Sequence, residues 1–113
     1  MQQLKNRPEN PKLSARRKAE YALSKAYALI EKRDLEAIDD VLCPTLGQLK
    51  ALGCYPNLHA EVLCCQALSA ALRGFMLDAF NLWLEASELA SEPSLTVQIE
   101  QSLRILVEEM GGR

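Results

Sequence analysis

Residues 58–73, reading LHAEVLCCQALSAALR, form a helix-length run that is apolar on nearly every side. Only Gln66, Ser69 and Arg73 mark a narrow polar stripe along its second half. An ordinary surface helix shows one apolar stripe, whereas a helix apolar all round needs cover on several sides. In a chain of 113 residues, the length of one domain, that cover comes from neighbouring helices or from a partner. The central run therefore sets the architecture, and the other segments are read as what surrounds it.

Those segments are helical as well, because alternating β-branched runs do not occur and 3.6-residue periodicity does. Residues 1–12, with Pro8 and Pro11, read as a flexible lead-in, and residues 13–113 as one helical domain. Ser14 is the expected N-cap of a helix to about Lys32, whose apolar positions are Ala19, Ala22, Leu23, Ala26, Tyr27 and Ile30. Asp34 is expected to cap a second helix burying Leu35, Ile38, Val41 and Leu42. Pro44 should kink or split it, since proline lacks the N–H donor and clashes with the preceding turn. Residues 45–52 continue as a short helical piece that Gly53 ends. Asn57 is expected to cap the central helix, and Gly74 to separate it from a fourth helix at residues 75–91. There Asp78, Asn81, Glu85, Glu88 and Glu92 recur three and four residues apart as one acidic edge. After Pro93, Ser94 is expected to cap a fifth helix with Leu95, Ile99, Leu103, Leu106 and Met110 along one line, stopped by Gly111 and Gly112. The fold class is all-α: antiparallel helix hairpins, as a stack or small bundle of four to five helices.

Charge is unevenly distributed. Residues 1–33 carry nine Lys/Arg against three Asp/Glu, and residues 34–113 carry four against twelve. A basic head can serve nucleic acid, with Arg16, Arg17 and Lys18 its densest cluster. Few aromatics accompany them and the acidic body would repel phosphate, so a solvated helix face is the favoured reading. The longest uncharged stretch, residues 62–72, is too short to cross a bilayer. Residues 1–11 hold no apolar core of a signal peptide, which predicts a cytoplasmic protein with reduced cysteines. Cys43, Cys54, His59 and Cys64 have the residue types of a zinc site. Their spacing of ten, four and four intervening residues matches no familiar knuckle, so no metal or other cofactor is expected. Cys43, Cys64 and Cys65 are read as small core residues, and Cys54 as a loop residue.

Ala67 midway along the central run, Gly74 seven residues later, then Ala79, Trp83 and Ala86 at intervals of four and three, form a distinctive set. In this pattern residues 63–86 resemble a tetratricopeptide (TPR) repeat, whose small residues let two antiparallel helices approach while an aromatic fills the notch between hairpins. Gln66 and Ala70 depart from the family's larger residues, and Pro93 falls about two residues beyond its helix-ending proline. The hairpin at residues 19–42 matches less well, with Ala26 and Leu42 in one register and Ala37 in another. In size, helix order and acidity the chain also looks like the small TPR-like chaperones of bacterial type III secretion, including the co-chaperone that holds a needle subunit before export. The resemblance implies a groove that holds an amphipathic segment of another protein.

No nucleophile–base–orienter set or glycine-rich phosphate loop is present, and His59 is the only histidine. The expectation is a non-enzymatic adaptor or chaperone acting in a hetero-complex. Its contact residues are expected to be Leu68, Leu72, Phe75, Met76, Phe80 and Trp83, with Asp78, Glu85 and Glu88 steering a basic segment. The alternative occupant of the apolar surface is a second copy of the chain. Nucleic acid held by the basic first helix is the remaining, less favoured reading.

Overall fold

A computed structural model describes residues 10–111, which form five α-helices and no strand. These are α1 (Pro11–Glu31), α2 (Glu36–Leu52), α3 (Pro56–Leu72), α4 (Met76–Leu89) and α5 (Pro93–Gly111). Each packs on the next, α1 also packs on α3, and α3 on α5. The backbones of α2 and α4 make no close approach. The result is an elongated hairpin stack, 66 × 30 × 21 Å, in which α3 alone meets all four other helices.

The faces of α3 explain why it is apolar all round. Val62 and Cys65 join a core with Ala15, Ala19, Ala22, Leu23 and Ala26 of α1 and Ile38, Leu42 and Leu49 of α2. Ala60, Leu63 and Ala67 join a second core with Ala79, Trp83 and Ala86 of α4 and Leu95, Ile99 and Leu106 of α5. The small residues with TPR-like spacing, Ala67, Ala79 and Ala86, are thus fully buried around Trp83. Gly74 makes the intervening turn at φ +89°, a conformation that L side chains rarely adopt.

Several boundaries differ from expectation. Helix α1 starts three residues before Ser14, because Asn10 caps it, accepting from the Lys12 N–H at 2.8 Å, and Pro11 suits the first turn. Residues 11–12 are therefore helical, and the rest of the expected lead-in, residues 1–9, lies outside the described residues. Asp34 does not cap α2; its N-cap position is Leu35, with no side-chain hydrogen bond. Pro44 does not split α2, which runs unbroken from Glu36 to Leu52. Pro44 lies beyond the first turn, so it withholds one N–H from the helix and its ring crowds the Asp40 carbonyl, without ending the helix. Gly53 ends α2 as expected, left-handed at φ +60°, its N–H donating to the Leu49 carbonyl at 2.9 Å.

Asn57 has a different role from the one expected. Pro56 already occupies the first turn of α3, and the N-cap position is Tyr55 in a left-handed conformation. The Asn57 side chain instead spans to the α4–α5 turn. Its Oδ1 accepts from the Ser91 N–H at 2.8 Å and the Glu92 N–H at 3.1 Å, while its Nδ2 donates to Ser91 Oγ at 3.1 Å. Helix α4 is shorter than expected, ending at Leu89, so Ser91 and Glu92 are free to form this turn. Helix α5 starts at Pro93, before Ser94, and runs through Gly111, so Gly111 does not stop it; Gly112 lies outside the described residues.

Candidate functional site

Because the backbones of α2 and α4 flank α3 without close approach, a trough opens between them. Its floor is Gln66, Ser69 and Ala70 of α3, with Arg73 just past the end of that helix. Asp39 and Cys43 of α2 form one wall; Phe75 and then Asp78, Asn81, Leu82 and Glu85 of α4 form the other. This part encloses about 550 Å³. Glu85 is shared with a second hollow of about 380 Å³, lined by Leu49, Lys50, Gly53, Cys54, Pro56, His59, Glu88 and Leu89. The two hollows lie along the α2–α4 side and adjoin at Glu85.

The floor is held by hydrogen bonds. Ser69 Oγ donates to the Leu35 carbonyl at 3.3 Å, and Gln66 Nε2 reaches Cys43 Sγ at 3.7 Å. Arg73 closes one end, pairing with Asp39 at 3.7 Å and lying 5.0 Å over the Phe75 ring. At the other end His59 is buried, and its Nε2 has no hydrogen-bond partner. Burial lowers its pKa, Glu85 works against that shift, and Lys50 adds to it, so the imidazole stays neutral at neutral pH. With Arg73 engaged by Asp39, the carboxylates of Asp78, Glu85 and Glu88 face only Lys50 as a counter-charge in this groove.

The opposite side of α3 carries a smaller hollow of about 220 Å³, between Tyr27 of α1, Glu61 and Cys64 of α3, and Ser94, Leu95 and Gln98 of α5, with Glu92 at its edge. Burial raises the Glu61 pKa, and Glu92 and Glu20 add to the shift by repulsion. Burial likewise pushes the Tyr27 pKa up to about 12, helped by Cys65, Glu61 and Cys64.

The expected contact residues separate accordingly. Phe75, Asp78, Glu85 and Glu88 line the α2–α4 groove. Met76 and Phe80 are half-buried against the second core, and Trp83 is buried within it. Leu68 lies one turn beyond Cys64, on the α1–α5 side of α3, also packed against the second core. Leu72, two turns beyond Cys64, is exposed. The acidic edge ends at Glu88, since Glu92 turns toward Glu61 on the other side. Cys65 is buried and Cys64 half-buried, but Cys43 is exposed on the groove wall rather than in a core. Among the described residues no three His, Cys, Asp or Glu side chains are grouped to hold a metal ion, and no helix is long and apolar enough to cross a membrane.

Sequence reasoning missed the α2 wall, Asp39 and Cys43, since nothing local to that helix reveals which side faces an opening. The floor left a signal: Gln66, Ser69 and Arg73 are the polar residues in the second half of an otherwise apolar run, and they line the hollow. Compared with known protein families, with curated proteins and with solved structures, the chain matches none.

Proposed function

We propose that this chain is a non-enzymatic adaptor or chaperone whose α2–α4 groove holds a basic, amphipathic helical segment of another protein. The observation that carries this reading is the groove itself. It is open along two helices, floored by hydrogen-bonded polar groups and edged by Asp78, Glu85 and Glu88 beside Phe75, Leu82 and Leu89. A helix laid in it would place apolar residues against that second set and lysine or arginine against the carboxylates, which fix orientation and speed encounter more than they add affinity. The finer form of the proposal is a TPR-like protein of the type III secretion chaperone kind, acting in the cytoplasm. Its support is the chain's size and acidic body, with a helix order in which α1, α3 and α5 pack in succession while α2 and α4 stay apart.

The test is amide hydrogen exchange on the complex with a partner co-purified from the host, alongside the double variant Asp78→Lys/Glu85→Lys. Slowed exchange on α2 and α4, with affinity lowered about tenfold or more in the variant, is the expected result. Slowed exchange confined to α1 and α5, with unchanged affinity in the variant, overturns the proposal.

A further inference from the structure

Helix α5 ends the stack, and only one of its sides is covered. Leu95, Ile99 and Leu106 point into the second core. At 3.6 residues per turn the opposite side carries Val97, Glu100, Arg104 and Val107, spaced i, i+3, i+7 and i+10. A side turned away from the core is normally polar throughout, yet Val97 and Val107 are each 51% exposed. At the Val107 end lies a shallow, mostly apolar hollow of about 410 Å³ formed by Glu100, Leu103, Arg104, Val107 and Glu108.

The order along this side is valine, glutamate, arginine, valine. Its spacing is symmetric about residue 102, while the charges on either side of that point are opposite. Such a face is complementary to itself when reversed. We infer that α5 is a self-association surface, on which a second copy of the chain packs its own α5 antiparallel about a two-fold axis opposite residue 102. Val97 then meets the second copy's Val107, and Glu100 meets the second copy's Arg104, each contact occurring twice. A parallel arrangement would bring Glu100 against glutamate and Arg104 against arginine, so the charges select the antiparallel one.

A helix of 19 residues is about 28 Å long. One helix pair of that length buries less than the roughly 1,600 Å² of a standard stable interface. The dimer is therefore concentration-dependent, and its two ion-pair contacts make it sensitive to salt. The α2–α4 groove lies elsewhere on the chain, so this inference stands apart from the proposed function.

Sedimentation of the full chain over a wide concentration range tests it, with circular dichroism confirming that each variant is folded. The wild-type chain should pass from 12.6 kDa to twice that mass as concentration rises. Arg104→Glu and Glu100→Arg, each placing like charges across the two-fold, should remain monomeric at concentrations where wild type dimerises. Two results discriminate sharply. The double variant Glu100→Arg/Arg104→Glu should dimerise again, and an equimolar mixture of the two single variants should form a mixed dimer. A wild-type chain that stays monomeric throughout overturns the inference. So does a dimer indifferent to both single substitutions, or a mixture that fails to pair.

Discussion

The two sides of α3 are packed by opposite means. Toward α1 and α2, the small residues lie on the outer helix: Ala15, Ala19, Ala22 and Ala26 make a smooth strip into which Ile38, Leu42 and Leu49 of α2 press. Toward α4 and α5, the small residues lie on the facing helices, Ala60 and Ala67 of α3 with Ala79 and Ala86 of α4, and one large ring, Trp83, fills the space between them. Both arrangements let helix axes come close. They differ in what fills the space, aliphatic side chains in the first unit and an aromatic ring beside Leu63, Leu95, Ile99 and Leu106 in the second. The second unit is also tied to α3 by the Asn57 bonds to the α4–α5 turn.

That contrast is open to direct attack. Trp83→Ala should lower stability by about 3–5 kcal/mol and Leu42→Ala by about 2–5, read by chemical denaturation. Since α3 serves both cores, each variant should still unfold in a single transition. Two separated transitions would show that the units are independent and the contrast merely local. The next effect is overpacking. Ala67→Leu and Ala26→Leu, at positions with no exposed surface, should each cost about 1–3 kcal/mol. Ala67→Leu should be the worse of the two, because its neighbour is the rigid Trp83 ring while Ala26 faces adaptable aliphatic chains.

Asn57→Ala removes the acceptor for two backbone N–H groups at the start of α5 and should cost about 1 kcal/mol. Asn57→Asp keeps that acceptor and should recover most of the loss. An equal loss in both variants would show that the donor to Ser91 Oγ is the important part.

The smallest expected effect is the pH response of the two grooves, which have opposite signs. The His59 pKa is lowered in the fold from 6.5. Below 6.5 the unfolded chain therefore binds the extra proton, and stability falls as pH drops through that window. The Glu61 pKa is raised from 4.5. There the folded chain holds the extra proton, and stability falls as pH rises above 4.5 toward the raised value. Denaturation midpoints measured against pH should lose the first slope in His59→Gln and the second in Glu61→Gln. Glu61→Gln should also be slightly more stable than wild type at neutral pH.

Much of the fold was legible in the residues, and for a local reason. Helix existence follows from periodicity, and the turns at Gly53 and Gly74 follow from the left-handed conformations they adopt. The central position of α3 follows from its lack of a polar side. The pairing of Ala67 and Gly74 with Ala79, Trp83 and Ala86 was legible as well, since it depends on intervals within one hairpin. Helix starts were less so. Asn10–Pro11 and Tyr55–Pro56 begin helices earlier than Ser14 and Asn57 suggested, because proline in a first turn gives up no hydrogen bond. Of the groove, the α4 wall and the floor stripe could be read; the α2 wall could not.

The sequence by itself determined an all-α chain of four to five helices and a middle helix that must be covered from several directions. Those properties depend on residues within a turn or two of one another. Only the tertiary structure decided that α2 and α4 stand apart, that Asn57 reaches across to Ser91 and Glu92, and that Glu85 and Glu92 face different sides of α3. Each depends on where a helix lies relative to one that is distant in sequence. That placement comes from how small and large side chains fit between helices, which periodicity along a single helix does not encode.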